Sequence, residues 1–274
     1  MFDNAFCKYD PLFQQTHDDQ FITENCTHHQ CISEGDIEFF HDKLQLIKKV
    51  DALVCLSQAC VEYSKKMGVS SDKIFKMPPI MKPPQRLSQA VEENIILFAG
   101  RMVYHKGTMQ FLESLVKVKT QNYKVILEGT GEKEFVAELV RFAIKNGIEE
   151  KIEIVGHNTY KEYLELFHKV KILVFPSVYA EGYGYPAYEA MLRGVPIIAF
   201  EGIGGDREWL KHNYNGISVP FMDTSKLAEA IDKLLTDDKL YRKYRQNSID
   251  WSRSVNYEKE IEIMKDFYYK LKDA

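Results

Sequence analysis

The chain has 274 residues, of which 45% are hydrophobic and 28% are charged, and its formal net charge is −4. This composition is ordinary for a soluble globular protein and gives no sign of general affinity for nucleic acids. No apolar run approaches the roughly 18 to 20 residues that a membrane-spanning helix needs. The length suits one large domain or two smaller ones.

The start of the sequence and its cysteines favour a cytoplasmic location. The segment Met1–Ala5 lacks the basic and then apolar profile of a signal peptide. The five cysteines, an odd number, indicate free thiols in a reducing compartment. We therefore expect a cytoplasmic protein, and peripheral attachment to the inner face of a membrane stays open.

A segment near the start contains four side chains of the types that bind zinc: Cys26, His28, His29 and Cys31. Structural zinc sites usually combine ligands from two separated segments, and the sequence has no second CxxC or HxxxH motif. We therefore expect a metal-free loop here and no metal site in the protein.

The first part of the chain shows few regular elements. Residues 1–20 are polar and irregular. The apolar pattern predicts a strand at Phe21–Thr23, a helix at Ser33–Lys49, a strand at Ala52–Leu56, a helix at Gln58–Met67 and a strand at Lys73–Met77. Ser57 suits the N-cap of the second helix, and Gly68 suits its end.

A change of composition marks the best domain boundary in the sequence. Four prolines, Pro78, Pro79, Pro83 and Pro84, are followed by the polar stretch Gln85–Glu93. Such a segment favours an extended linker. We assign residues 1–77 to a partial α/β unit, residues 78–93 to a Pro-rich linker, residues 94–256 to a second domain and residues 257–274 to a C-terminal helix.

Strands and helices alternate regularly after the linker. Strands are predicted at Ile95–Ala99, Lys124–Glu128, Lys151–Val155, Ile172–Phe175, Pro196–Phe200 and Gly216–Val219. Helices are predicted at Thr108–Lys119, Glu132–Asn146, Tyr160–His168, Pro186–Arg193, Ser225–Leu235, Asp238–Asp250 and Tyr257–Leu271. The strands are continuously apolar, as expected when both faces of a sheet are covered. This alternation predicts a doubly wound, parallel, Rossmann-like sheet of the α/β class.

The last predicted helix has an apolar face. Its members are Tyr257, Ile261, Met264, Tyr268 and Leu271. Their helical spacing predicts that this face packs against another part of the protein.

Loops at the carboxyl edge of the predicted sheet carry cations and glycines. Ligands of parallel sheets bind at this edge. Arg101 and Lys106 follow Ile95–Ala99, just before a helix begins. The forked donors of arginine and the point charge of lysine suit a diphosphate, although two plain surface cations are the simpler interpretation. The next strand ends in Gly129–Gly131, a turn that allows close approach of a ligand to the backbone.

The stretch Tyr179–Pro196 places two acids around glycines and a proline. Glu181 lies in the loop after Ile172–Phe175, and Glu189 is predicted in the first turn of the helix that Pro186 begins. We expect the backbone N–H groups of residues 182–185 to form an anion site at the helix start. For Glu189 alone, a favourable interaction with the helix dipole is the simpler alternative. A second Gly-rich loop, residues 201–208, follows the next strand.

These motifs together resemble a known family. Glu181-x7-Glu189, with Gly182, Gly184, Pro186, Ala190, Met191, Gly194 and Pro196 in place, is similar to the signature of the retaining GT-B glycosyltransferases of family 4, the glycosyl transferases group 1. The family pattern also includes Gly100-Arg101, Lys106-Gly107, Gly129-Thr130-Gly131, Pro176-Ser177, Gly204-Gly205 with Glu208, and Asn215-Gly216. The resemblance is strongest over residues 94–220 and implies a GT-B fold.

The resemblance also implies roles for particular residues. Arg101 and Lys106 would neutralise the donor diphosphate, and Glu181 would contact the hydroxyls of the transferred sugar; these three form the catalytic set. The backbone of Gly182, Tyr183, Gly184 and Tyr185 would hold the phosphates and the sugar, Glu189 would bind the ribose, and Gly156 and His157 would border the base. No cofactor or divalent metal is implied, because cations and helix N-termini supply the charge stabilisation.

The implied function is transfer of a sugar from a nucleotide-sugar donor to a glycan, a lipid-linked acceptor or another acceptor, as in polysaccharide biosynthesis. One feature departs from the family. Members usually carry a full N-terminal Rossmann-like domain that binds the acceptor, whereas residues 1–77 are shorter and lack its Gly-rich loop. The family's cleft histidine corresponds to either His28 or His29.

Two alternatives stay open. The chain could be a donor-binding subunit or an inactive remnant that needs a separate acceptor-domain chain, as the short first unit suggests. A GT-B sugar-nucleotide epimerase fits less well, because that chemistry needs further acid/base residues in the cleft. The expected partners are a nucleotide-sugar and a glycan or lipid-linked acceptor, with no nucleic acid. Peripheral contact with a membrane also stays open.

Overall fold

The computed structural model describes residue 42, residues 45–84 and residues 89–272. The predicted strand at Phe21–Thr23, the Cys26–Cys31 segment, most of the helix predicted at Ser33–Lys49 and part of the linker lie outside these ranges. Residues 45–49 are helical, in agreement with the end of that predicted helix. No helix among the described residues has the length and apolar character needed to cross a membrane.

A small α/β unit precedes the prolines. Strand β1 (Leu53–Cys55) pairs in parallel with β2 (Ile74–Lys76), and helix α1 (Gln58–Lys66) connects them. The side chain of Ser57 accepts a hydrogen bond from the backbone N–H of Cys60. The predicted N-cap is therefore confirmed, since a cap oxygen satisfies one of the N–H groups that a helix start leaves without a partner.

The rest of the chain is built on a six-stranded parallel sheet in the order β5-β4-β3-β6-β7-β8. Its strands are β3 (Ile95–Ala99), β4 (Lys124–Glu128), β5 (Ile152–Gly156), β6 (Ile172–Phe175), β7 (Ile197–Phe200) and β8 (Gly216–Val219). Each strand agrees with its prediction to within one residue at either end. The direction of strand order reverses between β3 and β6, so the predicted doubly wound sheet is confirmed.

Helices connect and follow these strands. They are α2 (Thr108–Leu115), α3 (Lys133–Lys145), α4 (Tyr160–Leu166), α5 (Tyr185–Leu192), α6 (Asp206–Trp209), α7 (Thr224–Thr236), α8 (Asp238–Ser254) and α9 (Tyr257–Lys272). The short helix α6 was not predicted, because its four residues lie inside the second Gly-rich loop.

Helix α2 ends four residues earlier than the prediction of Lys119. The backbone N–H groups of Lys119 and Thr120 donate to the carboxylate of Asp232 in α7, at 2.9 and 2.8 Å. These donors are thereby satisfied outside the helix, so the chain leaves the helix where Asp232 can reach it.

The hydrophobic core lies on the central strands. The side chains of β6 and β7 are all buried, and Ile172, Leu173, Val174, Ile197, Ile198, Ala199 and Phe200 are fully so. Continuous burial of successive residues means that both faces of the sheet are covered. Consequently the loops at the carboxyl ends of these strands are anchored to a closely packed part of the sheet.

The residue of helix α9 that contacts the first unit is not one of the residues predicted to pack. Phe267 packs against Phe75 of β2 with ring centroids 4.7 Å apart. Met264, Tyr268 and Leu271 of the predicted face are exposed. The prediction that α9 packs is confirmed, but the predicted face is wrong over its second half, because the partner lies on the side of Phe267.

Candidate functional site

A pocket of about 550 Å³ opens at the carboxyl edge of the sheet. The loops after β3, β4 and β5 form one wall, and Tyr160, Tyr163, Pro186 and Glu189 of α4 and α5 form the other. Arg101 and His157 both line this pocket. The structure thus brings together side chains that lie far apart in the sequence, at the switch point where α/β sheets bind ligands.

Lys106 and Glu181 form an ion pair at the same edge of the sheet, in the loops after β3 and β6. Lys106 Nζ lies 2.6 Å from Glu181 Oε1, and Ser177 Oγ lies 2.8 Å from the same oxygen. Only 8% of Glu181 is exposed. The predicted cation and acid are therefore held together at the ends of β3 and β6, in a partly dry environment that strengthens their attraction.

A glycine allows the loop that carries Lys106 to reach this position. Residues Tyr104–Lys106 form a single 3-10 turn that ends at Gly107, whose φ is +71°. A Cβ atom at Gly107 would lie only 1.7 Å from the carbonyl oxygen of Pro176. The loop after β3 therefore packs backbone against backbone on the loop after β6, as only glycine permits.

The second Gly-rich loop supports the first one. The backbone N–H of Glu181 donates to the carbonyl of Ile203 at 2.7 Å, and the N–H of Gly205 donates back to the carbonyl of Glu181 at 3.1 Å. The indole N–H of Trp209 donates to the carbonyl of Tyr183 at 2.6 Å. The loop after β7 thus fixes the conformation of the loop that presents Glu181.

The start of α5 differs from the prediction by one residue. Gly184, with φ of +84°, is the N-cap, and Pro186 lies in the first turn as predicted. Because the helix already begins at Tyr185, Glu189 lies beyond the first turn, and its predicted place there is wrong. An interaction of Glu189 with the helix start is correspondingly weakened, since the dipole effect falls off within one turn.

The loop before α5 offers backbone donors. Within the part of the chain that the structure describes, the N–H groups of Gly182, Tyr183 and Gly184 donate no hydrogen bond. The side chain of Tyr183 is buried against Tyr188, whereas that of Tyr185 is about half exposed. Residues 182–184 can therefore contribute through their backbone, as anion sites at helix starts do.

Glu189 is buried between two tyrosines. Its Oε1 accepts a hydrogen bond from the Tyr160 hydroxyl at 2.8 Å, and its Oε2 accepts one from the Tyr163 hydroxyl at 2.7 Å. Burial, and secondly the charge of Glu189, raise the pKa of the Tyr163 hydroxyl. Both tyrosines thus donate to Glu189, which borders the pocket.

Sequence reasoning missed Glu128, a buried acid in the same pocket. It is the last residue of β4 and is 7% exposed. Burial raises the pKa of its carboxyl group, and the neighbouring Glu189 raises it further. The available signal was an acid directly after the apolar run Val125–Leu127 and directly before Gly129. Next to it, His157 lines the pocket, and Gly156, with φ of +72°, forms the turn before His157.

The first unit contacts the Glu181 loop across a smaller, mostly apolar cavity of about 250 Å³. Cys60 Sγ lies 3.5 Å from the carbonyl oxygen of Gly182. Glu208 accepts a hydrogen bond from the backbone N–H of Gln58 at 2.6 Å and pairs with Lys76. Glu208 therefore joins the two units, a role that its place in the motif did not reveal.

The chain belongs to the family described as glycosyl transferases group 1, whose sequence profile matches residues 82–251. It is 31% identical over 147 residues to an uncharacterized glycosyltransferase of Methanocaldococcus jannaschii, covering 53% of this chain and 37% of that protein. It is 25% identical over 243 residues to a D-inositol 3-phosphate glycosyltransferase of Xylanimonas cellulosilytica, covering 82% and 58%. The chain thus spans from roughly a third to somewhat more than half of these relatives.

Solved structures show the same fold. Anabaena HepE in complex with UDP-glucose has a TM-score of 0.76 at 17% identity, covering 89% of this chain and 69% of that one. Staphylococcus aureus TarM, in complex with UDP and other ligands, has a TM-score of 0.75 at 18% identity, covering 89% and 48%. The predicted GT-B, Rossmann-like fold is thereby confirmed.

Proposed function

We propose that this chain carries the donor site of a metal-independent glycosyltransferase that moves a sugar from a nucleoside diphosphate sugar to a glycan or lipid-linked acceptor. The observation that carries the proposal is the pair of Lys106 and Glu181 at 2.6 Å, held at the same edge of the sheet as a pocket large enough for a nucleoside. Retention of the anomeric configuration comes from the resemblance and is part of the proposal.

The strand order matches the parts of such a donor. Glu181 follows β6, Arg101 and Lys106 follow β3, and His157 follows β5 at the edge of the sheet. A donor lying along this edge would place its sugar at Glu181, its diphosphate at the two cations and its nucleoside in the pocket. Glu189, on the pocket wall, would accept hydrogen bonds from the ribose.

The chemistry requires stabilisation of a leaving diphosphate. When the bond between the sugar carbon and the phosphate oxygen breaks, a bond to the acceptor oxygen forms, and negative charge grows on the phosphate until it takes up the proton lost by the acceptor hydroxyl. Lys106, Arg101 and the backbone donors of residues 182–184 would surround that charge, and fixed donors of this kind lower the barrier most. Lys106 is already oriented by Glu181, so little reorganisation would be needed.

The comparisons support this proposal at the level of the family and of the fold. HepE and TarM were solved with UDP, and HepE also with UDP-glucose. The alternative is a donor-binding subunit with its acceptor half in another chain. Among the described residues, the sheet of the first unit has only two strands, which alone are at best marginally stable.

A binding panel tests the proposed site. UDP-, GDP- and ADP-sugars would be titrated by calorimetry, in EDTA, into the wild type, Lys106→Ala and Lys124→Ala. Lys124 is an exposed lysine at the opposite end of β4 and serves as the charge-matched control. We expect binding of at least one donor, weakened at least tenfold by Lys106→Ala only. Absence of binding to any donor, or equal effects of both changes, would contradict the proposal.

Turnover separates the two candidates. Release of nucleoside diphosphate in the presence of an acceptor mixture indicates a complete transferase, and NMR of the first product gives its anomeric configuration. Tight donor binding without turnover, restored by a second protein that supplies the acceptor half, indicates the donor-binding subunit.

A further inference from the structure

Glu128 occupies a costly position in the pocket. It is 7% exposed, and among the described residues its carboxyl group accepts a single hydrogen bond, a long one of 3.4 Å from the backbone N–H of Asn158 to Oε1. A buried carboxylate with so few partners lowers stability, because it loses hydration without full replacement. The fold gains little from this acid, so a ligand is the natural partner.

The position of Glu128 along the sheet edge identifies the part of the ligand that it would meet. Strand β4 lies between β3, which leads to Arg101, and β5, which leads to His157 and Asn158. Adjacent strands are about 4.8 Å apart. The end of β4 therefore lies one strand spacing from the end of β3, where the diphosphate would bind, and three strand spacings from the end of β7. The hydrogen bond from the backbone N–H of Asn158 shows that the Glu128 carboxyl group contacts the turn after β5.

We propose that Glu128 reads the base of the donor nucleotide and selects guanine. This inference rests on the proposed donor site and deepens it. A carboxylate has two acceptor oxygens, and the edge of guanine carries two adjacent donors, N1–H and the N2 amino group, which it can bind in a bidentate manner.

Other bases fit a carboxylate less well. Uracil offers one N3–H flanked by two carbonyl oxygens, which would face the carboxylate oxygens and repel them. Adenine offers its N6 amino group beside an acceptor nitrogen. A buried carboxylate therefore discriminates against both, since each leaves a carboxylate oxygen without a donor once the base has displaced water from the pocket.

Calorimetry with GDP, IDP and UDP tests the proposal. IDP lacks the N2 amino group of GDP but keeps N1–H. The difference in affinity between GDP and IDP for the wild-type protein therefore measures the contribution of the N2 donor. The variants are Glu128→Gln and, as a control, Glu153→Gln, which removes the same charge from an exposed position of β5. Thermal melting confirms that each variant is folded.

We expect the wild type to bind GDP at least tenfold more tightly than UDP and several-fold more tightly than IDP. Glu128→Gln should weaken GDP binding about tenfold or more, in line with the loss of a bidentate base contact, and should leave UDP almost unchanged. Glu153→Gln should alter neither. Preference for UDP, equal affinity for GDP and IDP in the wild type, or an equal loss of all three in Glu128→Gln would overturn base selection while leaving the donor site standing. No binding of any nucleotide would overturn both proposals.

Discussion

Lys106 and Glu181 are 75 residues apart in the chain, yet Lys106 Nζ contacts Glu181 Oε1 at 2.6 Å. Their side chains are only 22% and 9% exposed. This pair is therefore less screened than a surface salt bridge. It also means that Lys106 is partly neutralised until an anion competes with Glu181 for it.

Replacing Glu181 should separate binding from transfer. In Glu181→Gln the charge that neutralises Lys106 is removed, so the affinity for a nucleoside diphosphate should stay the same or increase. Transfer from the sugar donor should fall at least tenfold, because an amide replaces the carboxylate that would accept hydrogen bonds from the sugar hydroxyls. Calorimetry and a turnover assay measure the two effects. A parallel loss of nucleoside diphosphate affinity and turnover would contradict this assignment.

Gly205 should be intolerant of a side chain. A Cβ atom there would lie 2.3 Å from the carbonyl oxygen of Tyr183, so the two Gly-rich loops would have to separate. We expect Gly205→Ala to destabilise the fold by about 1–3 kcal/mol in urea unfolding. Gly182→Ala is the control, because its nearest neighbours would lie 3.9 Å away. Equal stability of the two variants would show that the loops adjust freely.

Asp206 should make stability depend on pH. Burial raises the pKa of its carboxyl group to about 6, and its Oδ1 has no hydrogen-bond partner among the described residues. The folded state favours the protonated form of the Asp206 carboxyl group. The contribution of this protonated acid to the free energy of unfolding is fully present below the unfolded pKa near 4, and it is lost as the pH rises through 6.

Asp206→Asn removes this titration and keeps an acceptor for the N–H of Gly202. Relative to the wild type, we expect the variant to gain on the order of 2 kcal/mol in unfolding free energy between pH 4 and pH 7.5. Denaturant titrations at both pH values measure the gain. Asp250→Asn, at an exposed position of α8, is the control and should show no such gain. If the difference in unfolding free energy between Asp206→Asn and the wild type were the same at both pH values, the prediction would be refuted.

Glu208 should control the attachment of the first unit. Glu208→Ala leaves the N–H of Gln58 and the ammonium of Lys76 without this partner. Amide exchange in α1 and β2 should become about tenfold faster, since one or two hydrogen bonds are worth roughly 1–2 kcal/mol. Strands β3 to β8 should be unaffected.

Glu62→Ala provides the control for that experiment. Glu62 pairs with Arg207 at 3.5 Å in the same region, but both side chains are about half exposed. Exposed pairs contribute little, so exchange in α1 and β2 should hardly change. Similar acceleration by both variants would point to a general loss of charge rather than to Glu208.

The sheet could be predicted because its signal is local. Apolar runs such as Ile172–Phe175, bounded by Lys171 and Pro176, define a buried strand without knowledge of the fold. The end of α2 could not be predicted, because it depends on Asp232, more than a hundred residues further along the chain. The same holds for the exposed part of α9, whose contact is set by the position of Phe75.

Part of the candidate site followed from motifs, and part followed only from the fold. Arg101, Lys106 and Glu181 stand next to glycines in loops, and Glu189 follows Glu181 at the spacing of the motif, so the sequence marks all four. Glu128 follows the apolar run Val125–Leu127 at the end of β4, and Tyr160 and Tyr163 lie in an ordinary helix. The two tyrosines lie close to Glu189 because α4 packs against α5. The spacing of residues along the sequence does not predict that packing.

The contact between Phe75 and Phe267 has a practical consequence for protein engineering. The chain leaves the first unit at the prolines, completes the sheet and returns through α9 to β2. A chimera that exchanges the sheet domain with that of a relative should therefore keep residues 257–272 with residues 45–84. A cut made at the prolines alone would pair one parent's Phe75 with the other parent's terminal helix and lose that attachment.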